Sequence, residues 1–559
     1  MLLMINFENI QKSLSKLANS FIGILIINAL FFVLIAYLMP IHFEENDDII
    51  MSLIASGGYS GIPDPHLVFI NYLYGLLLVA LYNISSSIEW YTLMFCVLHI
   101  IALSVIIYFL IKTKINKITK ILFVILFYIF EIRLIMLIQF TTTATIVAFS
   151  GFLLVLLAKK PYKLLGACLL ILGSLIRFEA SALVLVLSIP IVFLFPKLKK
   201  QKYYKIIGSL VSIAFIMLLF KTADSYIYKL NDSWNYYKQY NKVRGKINDN
   251  PNTAKLQHDF YIENIELNDY ELLLSFFPDG EVLNLDKLRI IEKELKNQSF
   301  AEKNKYIYPS LRKFTFYLLI VFLLTFLTLI ATRKELPRVL FISAYFILFI
   351  GIIAFISLNG YVKDRVFISM LYPVFFFLLF ASRTSHHRIL NYTYWSLVFL
   401  FVFIFQIRSN RINQQRTNWS TNEVRLQISL INNFIKENPL ANMVTMPGHF
   451  NMELLNPFKI RYTLGRISFR GGWLTNIPLN NPKIDSYRLY INENTNNNIV
   501  IFARNHEDTY CLIDKIKQSI AVNYGLFVTS EVVMRNEKYS ILKLNCYSHD
   551  TLQQTLPHR

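Results

Sequence analysis

Long apolar runs separated by short cationic segments set the pattern of the chain. Residues 20–39 form a mostly apolar run behind Lys12 and Lys16. About 20 such residues in a helix cross roughly 30 Å of hydrocarbon. No small-residue cleavage site follows, so the run reads as an uncleaved first span. Further runs near 67–83, 91–111, 121–138, 142–158, 164–176, 180–195, 206–220, 314–332, 339–357, 366–382 and 392–407 predict an all-α polytopic membrane domain over 1–407. Two stretches depart from this pattern. Residues 221–313 are rich in Tyr, Asn and Lys, with amphipathic pieces such as 285–297. Loops this long are uncommon without a function. From 408 to 559 helical period at 422–438 and 507–522 mixes with strand-like runs near 497–503, 524–534 and 539–546. That mixture predicts a small α/β domain.

Charge sets the sidedness. The segments 112–120, 159–163, 197–205, 333–338 and 382–388 are short and cationic, hence cytoplasmic by the positive-inside rule. The connections near 131–133, 177–180, 221–313 and 363–365 are then external. Two apolar runs, 67–83 and 91–111, lie between the first external loop and the first of these cytoplasmic segments, where parity permits only one crossing. The shorter run follows Pro63-Asp64-Pro65-His66 and has no cation at either end. It reads as an in-plane or re-entrant helix within an external loop spanning 40–90. About eleven crossings result, with the N-terminus cytoplasmic, the C-terminus outside, and the chain in a plasma or inner membrane.

Composition removes competing classes. Hydrophobic residues make up 55% and charged residues 16%, against about 25% charge in soluble domains. This excludes a soluble globular enzyme and a disordered chain. The net charge of +20 belongs to cytoplasmic loops. No basic stretch forms an aromatic-interleaved domain of the kind that binds nucleic acid. Four cysteines without a C-x-x-C pair give neither a disulfide scaffold nor a zinc site. Cys511 and Cys546 both fall in the external C-terminal region, where oxidation can pair them.

Candidate chemistry collects at the external turns. Glu44, Glu45, Asp47 and Asp48 follow the first span directly. Carboxylates held against an apolar wall have raised pKa values, which suits a base that takes a proton from an alcohol. A solvated acidic patch is the competing reading. Arg177 and Glu179 sit between two short apolar runs, as a structural ion pair or as a phosphate or sugar contact. Arg133 either snorkels or binds. Arg365 is a loop residue or a phosphate ligand, and His66 is structural or a site residue. The Tyr-rich stretch 226–240 either stacks on sugars or lies at the interface.

Asp47-Asp48, then Ser56-Gly57-Gly58-Tyr59, then Pro63-Asp64-Pro65-His66 before an external apolar helix resembles the GT-C superfamily. These are membrane glycosyltransferases that use polyprenyl-phosphate sugars, such as protein O-mannosyltransferases and lipid A aminoarabinose transferases. Asp47-Asp48 matches the family's Asp-Glu pair, and Arg177-Phe178-Glu179 its Arg-Pro-Glu-like turn. Asp364-Arg365 matches an Arg-aromatic element before a late span. The loop 221–313 stands where the family has a mobile substrate loop. The resemblance covers about residues 20–407. One departure is clear: the acidic residue expected before the span at 142–158 is replaced by Gln139 and Thr141, Thr142 and Thr143. With it goes the family's ground for a metal site.

The resemblance implies transfer of a sugar, with inversion, from a polyprenyl-phosphate donor to a hydroxyl on a glycan, lipid or protein at the external face. Asp47 would be the base, with Asp48 positioning or tuning it. His66, Arg133, Arg177, Glu179 and Arg365 would bind substrate, the arginines taking up the leaving phosphate, with no cofactor or metal needed. Two alternatives remain: a glycan polymerase or ligase that uses lipid-pyrophosphate donors and relies on external arginines, and a non-enzymatic lipid-linked sugar flippase.

Overall fold

The computed structural model describes residues 20–113, 117–194, 200–296 (except 251 and 259), 307–358 and 362–382. From 423 onward it describes chiefly 425–438, 442–445, 467–479 (except 470) and 499–547 (except 506). The chain is mostly helical. Among the described residues six helices are long and apolar enough to cross a membrane: Phe21–Leu38, Trp90–Lys112, Phe140–Leu157, Tyr203–Lys229, Leu336–Leu358 and Asp364–Ala381. Shorter apolar helices cover Tyr72–Ile84, Pro161–Ile176, Phe178–Phe193 and Tyr317–Ile330. The apolar run 392–407 lies almost wholly outside the described residues, as do Lys12 and Lys16.

The helix Phe140–Leu157 is the centre of the bundle. Its apolar window is 94% buried, against 22% for Tyr203–Lys229 and Leu336–Leu358, whose apolar faces point outward. Close approach to the neighbouring helix Lys160–Ile176 depends on glycine. A Cβ on Gly151 would lie 2.6 Å from the Gly166 carbonyl oxygen, and one on Gly166 would lie 2.8 Å from that of Gly151. Small residues at such crossings let backbones touch where no hydrophobic force drives helices together. Polar side chains add directional links. Asn28 donates to Ser104 Oγ at 2.9 Å and accepts from Tyr128 at 2.6 Å. Thr145 donates to Ser369 Oγ at 2.7 Å.

Glu131 and Arg133 correct the sequence reading. They lie inside the helix Lys117–Met136, not in an external turn; the turn falls at 137–139. Glu131 can stay in the helix because His99 Nδ1 meets its Oε1 at 2.6 Å and His99 Nε2 reaches Thr143 Oγ1 at 3.0 Å.

The helix Tyr72–Ile84 has both ends tied to one end of the bundle. Tyr72 N–H donates to Asp224 Oδ1 at 2.8 Å. At the other end Tyr82 OH accepts from Tyr91 N–H at 3.2 Å and donates to Glu89 at 3.3 Å. Asp224 and Tyr91 both flank the end of the bundle that carries the acidic turn.

The helix Lys200–Lys229 has 30 residues, about 45 Å at 1.5 Å per residue, so its outer turns run past a hydrocarbon core. The following segment builds the helices Asp232–Asn248, Thr253–His258, Leu267–Leu274 and Leu285–Lys296. They pack around Tyr240, Ile247, Leu288 and Ile291. In the C-terminal region the described residues form a sheet of five strands, β3 Asn442–Thr445, β4 Ile467–Phe469, β5 Ile499–Arg504, β6 Phe527–Arg535 and β7 Tyr539–Tyr547, in the order β4-β3-β5-β7-β6. The three strand-like runs of the sequence are β5, β6 and β7. The helix Glu507–Tyr524 packs on the sheet through Ile513, Ile516 and Ile520.

Leu272 and Phe277 of the preceding loop enter that same core, and Asp269 accepts from Ser519 at 2.6 Å. The segment after the helix Lys200–Lys229 and the C-terminal region are therefore packed together. Cys511 and Cys546 are both free: they lie on the helix and on β7, and the pairing that the sequence left open is not formed.

Candidate functional site

The site grows from a clamp. β1 (His42–Phe43) pairs in parallel with β2 (Leu137–Ile138), and Glu44 N–H donates to Ile138 O at 3.0 Å. This ties the exit of the first span to the helix Lys117–Met136. The chain then enters the short helix Asn46–Ser56, with Asp47 and Asp48 in its first turn. Carboxylates are favoured there by the free N–H groups of a helix start. The helix stops at Gly57, whose φ of +76° suits glycine. A Cβ there would also meet Pro63 N at 2.7 Å, so the turn into the proline segment needs this residue.

The adjacent carboxyls face different surroundings. Asp48 is fully buried. Its Oδ1 accepts from Tyr91 OH at 2.9 Å and from Phe140 N–H at 3.1 Å. Burial pushes its pKa well above the usual carboxylate range, against the pull of these two donors. Asp48 thus links the short helix to two spans. Asp47 is partly exposed, and its Oδ1 accepts from the indole N–H of Trp473 at 2.9 Å. Burial raises its pKa too, chiefly opposed by the Arg365 charge; Glu45 adds to the rise, while Trp473 and Arg177 lower it.

The three arginines singled out in the sequence surround this turn. Arg365 Nη1 lies 2.7 Å from Glu45 Oε1. Arg133 Nη2 lies 3.7 Å from Glu44 Oε1. Arg177, at the junction of the helices Lys160–Ile176 and Phe178–Phe193, pairs with Glu179 at 3.1 Å. It donates to Phe69 O at 3.4 Å and lies over the Phe140 ring at 5.5 Å. Glu179 is shared, accepting from Lys221 at 3.1 Å. A small cavity of about 40 Å³ opens beside Phe69, with Arg177, Lys221 and Asp224 as its charged lining. Asp47 is not among its lining residues.

His66 has a fixed seat. Its Nδ1 lies 2.8 Å from Asp64 Oδ1, and its ring stacks on Trp234 with centroids 4.3 Å apart. The Tyr-rich stretch is therefore a clamp on segment 63–71. That segment is strained at Val68, a β-branched residue with φ of +65°. Two partners hold it there: Val68 N–H donates to Tyr228 OH at 3.1 Å, and Lys238 Nζ donates to Val68 O at 3.0 Å. Lys238 also lies 3.8 Å from the Tyr228 ring centroid, and burial lowers its pKa to about 8.

Sequence reasoning missed Trp473, Lys238 and His99. The only local signal for Trp473 is the Gly471-Gly472 pair before it. His99 offered a polar residue in an apolar run, and Lys238 nothing beyond its aromatic neighbours. Gln139, which replaces the expected acidic residue, caps the central helix instead. Its Oε1 accepts from Thr141 N–H at 2.6 Å and from Thr142 N–H at 3.0 Å. Among the described residues no three His, Cys, Asp or Glu side chains are placed to hold a metal ion. Comparison of the chain with family models, curated proteins and solved structures finds no match.

Proposed function

We propose that the chain is an integral-membrane glycosyltransferase of the GT-C type, moving a sugar from a polyprenyl-phosphate donor to a hydroxyl acceptor at the external face. The observation that carries this reading is Asp47: a partly exposed carboxyl of raised pKa at the end of a helical bundle, under the charges of Arg365 and Arg177. A base raised above the ordinary carboxylate range and cations near a departing phosphate are the two features that support this reaction. Asp47 takes the proton of the acceptor hydroxyl. The freed oxygen attacks the anomeric carbon from the side opposite the phosphate, and the carbon–phosphate-oxygen bond breaks with inversion. The lipid phosphate leaves with the electron pair, where Arg365, with Arg177 or Arg133, neutralises it. Asp48 holds the helix that carries Asp47 and does not meet substrate.

The proposed topology has about eleven crossings, with the helix Tyr72–Ile84 in the plane of the outer face. Both of its ends being tied to the acidic end of the bundle supports this.

The test is release of polyprenyl phosphate from a panel of polyprenyl-phosphate hexoses and pentoses by the protein in oriented vesicles. Asp47→Asn should lower turnover about 100- to 10,000-fold, with activity found when the acceptor is added outside. Full turnover in Asp47→Asn would overturn the mechanism and favour the arginine-centred polymerase or ligase. No release from any donor would overturn the reaction class, and activity confined to inverted vesicles would overturn the sidedness.

A further inference from the structure

The turn at 471–476 comes from the C-terminal region, yet it ends on Asp47. Its shape is fixed from outside. Gly472 N–H donates to Phe276 O at 2.5 Å. Gly471, at φ of +89°, lies so close that a Cβ would clash with the same oxygen. Asn476 Nδ2 donates to Gly280 O at 3.3 Å, and Tyr237 OH donates to Trp473 O at 2.7 Å. The Trp473 ring meets Phe69 edge-on, with centroids 5.1 Å apart. Held in this way, the indole N–H points at Asp47 Oδ1, 2.9 Å away. Among the described residues Asp47 Oδ2 takes no hydrogen bond.

We propose that Trp473 is a positioning residue for Asp47, delivered by the C-terminal region, and that it engages one carboxylate oxygen so that the other is presented to the acceptor hydroxyl. The role in catalysis rests on the glycosyltransferase reading; the positioning itself does not. A base held by a packed neighbour meets its substrate in one geometry, and a donor on the ionised form favours that form. The charged groups acting on Asp47 come from several elements: Arg365, Arg177, Glu45 and the adjoining Asp48, with Arg244 from the helix Asp232–Asn248. None of these donates to Oδ1, so the indole is the element that fixes the carboxylate's orientation.

The experiment follows the carboxyl itself. Infrared difference spectra of the full chain in nanodiscs, taken across pH, report the protonated Asp47 C=O band, assigned by its loss in Asp47→Asn. Trp473→Phe keeps a ring against Phe69 and removes the N–H. The Asp47 pKa should rise by about one to two units, the worth of a hydrogen bond to a charged group. Gly471→Ala forces the turn off Phe276 while leaving the indole intact, and should move the pKa the same way. An unmoved Asp47 titration in Trp473→Phe overturns the proposal; if that variant does not fold, an unmoved titration in Gly471→Ala overturns it. Because no turnover is read, loss of the glycosyltransferase reading would leave this result standing, and a negative result here would leave the Asp47→Asn assay unaffected.

Discussion

The bundle interior around Glu131 and the rim around Asp47 put the same functional group in opposite circumstances. Glu131 is 1% exposed and belongs to a buried set with His99 and Thr143. Thr143 gives its hydroxyl proton to Gln139 O at 2.9 Å. The donor between His99 Nε2 and Thr143 is therefore the histidine. On its other side, His99 Nδ1 lies 2.6 Å from Glu131 Oε1. At the rim, Asp47, Glu45, Arg177 and Arg365 are partly exposed, and the cations meet carboxylates through single ion pairs. A buried set of this kind is shut off from substrate by the packing around it and contributes rigidity, although Glu131 Oε2 has no hydrogen-bond partner there. An open set of half-exposed charges is not shut off. On the proposed reading, the contrast separates a structural carboxyl from the proposed base without reference to sequence motifs.

The largest expected effect tests the interior. Glu131→Ala leaves His99 buried without its acid partner, and breaking a buried pair on one side costs about 3–5 kcal/mol. Asp47→Ala leaves the half-buried Trp473 N–H without its acceptor and should cost less, about 1–2 kcal/mol. Thermal unfolding in detergent, followed by size-exclusion recovery, measures both. Equal destabilisation by the two substitutions would break the comparison.

Asp48 lies between the two regions and sharpens the contrast. Asp48→Ala strands the Tyr91 hydroxyl and the Phe140 N–H, each a buried donor worth about 1–3 kcal/mol when left unpaired; the sum of about 2–6 kcal/mol is offset in part by loss of a carboxyl whose burial is itself unfavourable. Asp48→Asn keeps an acceptor oxygen for both donors and should melt close to the wild type. It should also keep most of the turnover that Asp47→Asn loses. Asp48→Asn with wild-type stability and no turnover would put Asp48 in contact with substrate after all.

Much of this arrangement was legible in the chain. Apolar runs of spanning length located the helices, because in a bilayer backbone groups must be satisfied within the segment. The acidic turn and the arginines at 133, 177 and 365 stood out because charges beside spans are costly unless used. Glu131 was misplaced for the same reason. Its charge looked like a span boundary, while its partner His99 sits alone in another apolar run. Trp473 could not be read, since it meets Asp47 across 426 positions and no local period encodes such a pairing. The shared core of the loop and the C-terminal sheet was hidden likewise. Leu272 and Phe277 are ordinary apolar residues until Ile513 and Ile516 cover them.

The smallest expected effect concerns Lys238, which carries features of both regions. It is charged like the rim, yet it is buried enough that its pKa falls to about 8, while an unfolded chain titrates its lysines near about 10.4. Between these values the unfolded state holds more protons than the folded one, so the lysine's contribution to stability rises with pH through that window. Below about 8 both states carry the proton, and the cost of burying the charge is constant. Lys238→Met removes the titration together with the bond to Val68 O. The wild type should therefore gain about 1–2 kcal/mol relative to Lys238→Met between pH 8 and pH 10, seen as a change in the gap between their melting temperatures. Differences between the two proteins cancel the other lysines, which titrate in both. A gap that stays constant across this window would show that Lys238 keeps an ordinary pKa, and that the strained Val68 turn is held by a solvated rim cation.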